Sequence, residues 1–166
     1  MSRESAAIVL ALFVPAFAVA QVTTEPDPFE QVTTDIANCP VPAPPSYENT
    51  ASDAFQRRFE AHWRGERGTS CYNSGRCRLP NAYLYDKEII PRVKKFILQD
   101  KRAAGSSLWI AGQRRWVTLQ GCVTSKEQAK ALVEAIQTVD DVERVVDETM
   151  VGASGKPPYR VAPATR

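Results

Sequence analysis

Histidine is nearly missing from this chain: His62 is the only one. Neither an H-E-x-x-H nor a G-x-S-x-G motif occurs, so the commonest routes to metal-assisted and nucleophilic hydrolysis have no carriers. Three fragments resemble chemistry without supporting it. Gly152-Ala153-Ser154-Gly155-Lys156 echoes a phosphate loop, but it lacks the full spacing and no helical pattern follows. Ser125-Lys126 is a nucleophile next to a base, yet Ser125 fits a helix cap, and neighbours at a helix start do not face each other. Asp140-Asp141 reads as a turn before a strand. The expectation is a non-enzyme with no cofactor.

Basic residues are absent between Gln21 and Ala54, where Glu25, Asp27, Glu30, Asp35, Glu48 and Asp53 stand alone. From Phe55 to Lys126 bases outnumber acids, and from Glu127 to Gly152 acids dominate again, so the net charge of +2 hides three blocks. A basic middle suits an anionic lipid or polysaccharide surface; the acidic leader can equally neutralise it. No nucleic-acid partner is expected. The one long apolar run is Ala6 to Val19, broken by Pro15 and followed by the A-x-A site Ala18-Val19-Ala20. That pattern predicts a signal peptide over residues 1–20, cleaved after Ala20, because the run is short for a membrane span. No cysteine closely follows it, which argues against a lipoprotein anchor.

Residues 21–52 read as an acidic linker. It repeats Q-V-T-T-E (21–25) as Q-V-T-T-D (31–35) and continues with Pro40, Pro42, Pro44 and Pro45, which favour an extended spacer with little core. Residues 53–80 read as an extension: a short helix over Asp53–Arg64, capped by Ser52 or Asp53, then a cysteine-bearing loop from Gly65 to Leu79. Phe55, Phe59, His62 and Trp63 share one side of that helix, away from Arg57, Arg58 and Arg64. The helix either lies on a membrane or docks its aromatic side onto the domain, and docking is the expectation.

The strongest local signals run from Trp116 to Val151. Val117, Leu119, Gly121 and Val123 alternate with Trp116, Thr118, Gln120 and Cys122, which predicts a two-faced strand. Thr124 with Glu127 and Ser125 with Gln128 both fit a capping box, and Ala129, Leu132, Val133 and Ile136 form a helical stripe. After Asp140-Asp141, the run Val142, Val145, Val146, Met150 and Val151 predicts a strand. Strand, helix and strand with short connections make a βαβ unit with parallel strands and a right-handed crossover. Upstream, Ile89, Ile90, Val93, Phe96 and Ile97 give a helix within Asp86–Arg102, with Pro91 pushing the regular start to Glu88. Leu108-Trp109-Ile110 is a short strand and Gly112–Arg115 a hairpin turn.

These residues carry a resemblance. V-T-L-x-G-x-V-T-S at 117–125, Ala135 and Val139 in the helix, D-V-x-x-V-x-D at 141–147, and Asp86, Ile89, Val93 and Ile97 upstream resemble a BON domain. That bacterial module occurs in periplasmic, outer-membrane and osmotic-stress proteins. Asp141 stands where the family commonly has Gly, and Cys122 where it usually has no cysteine. The fold class expected is α+β: a single small αββαβ domain over 81–152, with a three-stranded mixed sheet and two helices on one face. A disulfide-linked N-terminal extension precedes it, and a disordered tail over 153–166 follows.

Leu108, Ile110, Leu119, Gly121 and Val123 should face the helices, leaving Trp109, Trp116, Cys122, Val146 and Met150 opposite. That second face is too apolar for water, so something covers it; the aromatic helix is the expected cover. Cys39, Cys71, Cys77 and Cys122 argue for disulfides in an exported chain, with three pairings open, and their spacing is not that of a zinc site. The resemblance implies a periplasmic module bound to an anionic phospholipid or other envelope surface, with a place in envelope or osmotic-stress protection. Its exposed bases Lys94, Lys95, Lys101, Arg102, Arg114 and Arg115 would be the carriers. A structural subunit of a periplasmic assembly, docking another protein through Trp109 and Trp116, is the alternative.

Overall fold

A computed structural model describes residues 27–45 and 54–163. The expected signal peptide, the first copy of the short repeat and the Ser52/Asp53 cap lie outside them. The βαβ unit forms as its pattern dictates. Strand Trp116–Val123 (β3) leads through helix Lys126–Ile136 to strand Arg144–Val151 (β4), and the two strands pair in parallel from Trp116↔Arg144 to Val123↔Val151. Of the two capping frames, the second is used: the Gln128 amide donates to Ser125 Oγ at 3.1 Å, while Gln128 Oε1 accepts from the Thr124 amide.

Strand Ser107–Gln113 (β2) is longer than the three residues expected, and pairs antiparallel with β3 across a two-residue turn, Arg114–Arg115. Both arginines have positive φ, 55° and 69°, as a type I′ hairpin requires, although neither is the Gly or Asn that usually supplies it. The compensation comes from outside the hairpin. Asp86 accepts the amides of Arg114 and Arg115 on its two carboxylate oxygens, each at 2.8 Å. Asp86 opens helix Asp86–Gln99, which therefore starts two residues before the expected Glu88 and carries Pro91 inside. A 3-10 turn at Ala82–Tyr85 runs straight into it.

The two long helices of the domain lie on one face of the sheet. Ile89, Ile90, Val93 and Ile97 from one and Leu132 and Ile136 from the other close over Leu108, Ile110, Val117, Leu119 and Val123. Each is essentially removed from water, so each contributes roughly 1.5–3 kcal/mol of transfer free energy.

The sheet has four strands where three were expected. Phe29–Gln31 (β1), inside the segment read as a linker, pairs antiparallel with the free edge of β2, giving the order β1-β2-β3-β4. A bare β2 edge would present unpaired backbone groups, and the leader fills them. Residues 32–39 then cross the outer face, where Phe29, Ile36 and Cys39 pack on Trp109, Cys122 and Met150. The cover of that face is thus the leader, pinned by the Cys39–Cys122 disulfide, and not the aromatic helix. The second bridge, Cys71–Cys77, closes a small loop. The segment read as a disordered tail clips onto the leader: Tyr159 is buried and donates its hydroxyl to the Pro40 carbonyl, and Pro42 bridges to Val161. The β4 edge is blunted by side chains, since Gln137 accepts the Val145 amide and Asp147 the Thr149 amide.

Candidate functional site

The helix Ala54–Gly68 (α1) is longer than expected and turned the other way round. Arg64, which reads as a solvent-facing base, is 2% exposed. Its Nη2 bonds Asp27 Oδ1 at 2.9 Å, its Nε bonds Glu60 at 3.2 Å, and its guanidinium stacks over Tyr83 at 4.5 Å. Asn81 donates to the Arg64 carbonyl, and a side chain at Gly68 would collide with that asparagine. The polar face of α1 therefore docks on the start of the domain and on the leader. On the aromatic face Phe55 and Phe59 point to water, and Trp63 is half-buried.

On that face Phe55 stacks on Phe59 at 6.4 Å, and Phe59 meets Trp63 edge-on at 5.8 Å. Arg67 lies over the Trp63 ring at 4.1 Å. The spacing i, i+4, i+8, i+12 makes one continuous ladder. Phe55 is 72% exposed and Phe59 53%. The expected docking of these rings against the domain is overturned because a buried ion pair claims the opposite side of the helix.

The six candidate bases do not form one patch. Lys94 and Lys95 sit in the second half of the helix Asp86–Gln99, and Lys101 and Arg102 in the turn beyond it. Arg114 and Arg115 lie against Asp86, at the helix's other end, about 12–14 Å along the axis from Lys94 and Lys95 at 1.5 Å per residue. Several are engaged. Lys94 pairs with Glu30 at 2.6 Å and Arg102 with Asp100 at 2.5 Å. Arg115 donates to the Asp141 carbonyl and to Cys77 Sγ. Lys95 and Lys101 are exposed. Of the two tryptophans, Trp109 is 5% exposed beneath the leader and so has no surface to offer a partner. Trp116 stays at the surface with Arg144 over its ring.

Two residues that matter here gave weak local signals. Asp86 looked like a helix start, and its role on the hairpin is visible only once β2 and β3 are folded against it. Its burial pushes the carboxyl up to about 7; the two accepted amides and Arg64 oppose that shift, and Asp27 adds to it. Asp27 looked like one more linker acid, yet it is buried between Arg64 and Gln113, which donates to it at 2.8 Å. Among the described residues, no group of three or more His, Cys, Asp and Glu side chains can hold a metal ion, and no helix is long and apolar enough to cross a membrane. Ser125, paired on paper with Lys126, is the cap of the second domain helix.

Asp141 has φ 69°, the left-handed conformation that the BON-family glycine at this position would adopt freely. Here Arg92 holds the Asp141 carboxylate at 2.8 Å and Arg115 holds its carbonyl, so two ties fix a residue in strained backbone. No curated protein and no solved structure matches the chain. The family model of the BON domain matches residues 85–153, which are the Asp86 helix, the hairpin and the βαβ unit. BON domains are modules of periplasmic and envelope-associated proteins. Residues 85–153 of the chain are a BON domain, with a covering leader and aromatic helix in front of it.

Proposed function

We infer that this protein is a non-catalytic envelope module that attaches to the anionic face of a phospholipid bilayer through the aromatic ladder of α1. The observation that carries the reading is the outward ladder Phe55, Phe59, Trp63 with Arg67 closing it. Rings of this kind suit the bilayer interface, where an apolar body enters the acyl boundary and a cation stays with the headgroups. The buried Arg64–Asp27 pair supports the reading, because it anchors the helix from behind and leaves the rings outside. Lys95 and Lys101 add electrostatic attraction, each worth about 1 kcal/mol near an anionic surface at low salt.

The test is flotation of the mature chain with vesicles of anionic or neutral phospholipid. The expected result is binding to anionic vesicles that falls at least tenfold in the F55S/F59S variant and less, with strong salt dependence, in K95E/K101E. Failure of the native chain to float with anionic vesicles, or unchanged binding by F55S/F59S, would overturn the assignment.

A further inference from the structure

The Cys71–Cys77 bridge has an environment unlike that of Cys39–Cys122. Cys71 and Cys39 are alike in burial, 7% and 9% exposed, so the difference lies in their partners: Cys122 is fully buried under the leader. Cys77 sits half-buried at the margin of the main core, in a loop whose residues 74–76 are exposed. Arg115 Nη1 lies 3.1 Å from Cys77 Sγ. That guanidinium is held in place: its Nε donates to the Asp141 carbonyl at 3.0 Å, and its carbon lies 5.2 Å from the centre of the Tyr85 ring. Arg76 and Arg78 flank Cys77 in sequence, and Arg78 also lies over Tyr85 at 5.3 Å. Of the nearby acids, Glu88 bonds Arg78 at 2.7 Å and Asp141 bonds Arg92 at 2.8 Å, while Glu143 pairs loosely with Arg115 Nη1 itself at 3.8 Å, farther from that nitrogen than Cys77 Sγ. A fixed cation in contact with one sulfur of a disulfide does little for the neutral bridge. It strongly favours the thiolate that forms when the bridge opens, and a stabilised reduced form makes a disulfide more oxidising.

We propose that Cys71–Cys77 is a thiol–disulfide exchange site that accepts two electrons from a dithiol donor, with Arg115 as the positioning residue that stabilises Cys77 as leaving thiolate. A donor thiolate attacks Cys71 Sγ. The Cys71–Cys77 bond breaks, and Cys77 departs as a thiolate beside Arg115. The donor's second thiol then attacks its own sulfur in the mixed disulfide, closing the donor disulfide and releasing Cys71, which takes a proton. The donor is oxidised to a disulfide and the bridge is reduced to two cysteines, one proton passing to solvent while Cys77 stays ionised. Cys71 lies in the short helix Ser70–Asn73 that continues from α1, so the exchange also loosens the covalent tie behind the aromatic helix.

The experiment equilibrates the native full chain in dithiothreitol redox buffers of stepped potential, blocks free thiols without denaturant, and reads each cysteine pair by peptide mass spectrometry. Cys71–Cys77 is expected to open while Cys39–Cys122 remains closed. R115Q is expected to lower the equilibrium constant for opening about tenfold, which is about 30 mV for this two-electron couple, with R115K retaining most of it. A second measurement uses C71S, in which Cys77 is single. Its reaction with iodoacetamide at pH 7 should be several-fold faster than that of free cysteine, and R115Q should remove the advantage. The proposal fails if the two bridges open together, or if R115Q leaves both the opening constant and the Cys77 alkylation rate unchanged.

Discussion

A single buried carboxylate holds the hairpin of this domain closed, and its environment makes that hold depend on pH. Burial keeps Asp86 protonated up to about 7, against an ordinary value of 3.8, so between these limits the folded chain binds a proton that the unfolded chain has released. Stability from this group is complete below the unfolded value and is lost as pH rises through about 7. Denaturant unfolding should therefore give a higher stability at pH 5 than at pH 8, by up to about 3 kcal/mol, and the difference should shrink in D86N. That variant should also be less stable at pH 8, since an amide supplies one acceptor for two backbone donors. At Gly121, φ is 118° and a Cβ would lie 2.1 Å from the Ser107 carbonyl oxygen. G121A should cost more than about 2 kcal/mol by thermal or chemical unfolding, because the colliding atom is backbone and cannot step aside. The glycine of V-T-L-x-G-x-V-T-S was legible as a motif position. Its reason, close approach of β2, was not.

Among the elements, the leader is the part whose nature depends most on its partner. It has few apolar residues, and its strand is three residues long, too little to fold alone. Its hold comes from the β2 edge, the packing of Phe29 and Ile36 around Trp109, and a disulfide that spans 83 residues. Closing so long a loop constrains the unfolded chain by about 4 kcal/mol. The double variant C39A/C122A should lose an amount of that order in denaturant titration, and Trp109 fluorescence should shift red as water reaches the outer sheet face. The helix α1 is held by a different device. R64A strands the buried Asp27 carboxylate without its cation, a change that typically costs about 3–5 kcal/mol. Limited proteolysis should then cut within α1 before the domain core opens. Neither tie is local in sequence: Cys39 meets Cys122, and Asp27 meets Arg64. Periodicity found α1 and its two-sidedness, but it takes aromatic residues as the buried side, and here a buried ion pair reversed that choice.

For the whole molecule, the arrangement separates two jobs. The BON domain provides a rigid sheet with helices on one face, while the leader and tail seal the other face, leaving no open apolar sheet surface around Trp109. Phe55 and Phe59 on α1 are exposed and adjoin one another, whereas Leu98, Trp116 and Val151 lie exposed on other elements. Attachment that depends on this helix should be only partly salt-sensitive. Raising salt from 50 to 500 mM in the vesicle assay should weaken binding by the electrostatic share of Lys95, Lys101 and Arg67, and leave a residue of affinity that disappears in F55S/F59S. Complete release by salt alone would mean that bases, not rings, hold the surface.

The local order of elements followed from the residues themselves: the alternation of β3, the Ser125 cap, the stripe of the crossover helix and the β-branched run of β4 are short-range patterns, and short-range patterns survive folding. The division of β2 and β3 into an inner and an outer face followed for the same reason. What tertiary structure decided was everything that joins residues far apart. It brought Phe29–Gln31 to an open strand edge, chose Cys39–Cys122 and Cys71–Cys77 from three pairings, put Asp86 under two left-handed arginines, and turned α1 so that Arg64 is inside and its rings are out. Each of these depends on the cost of leaving a polar group or a strand edge unpaired in the folded chain, and that cost has no value until the partners are in place.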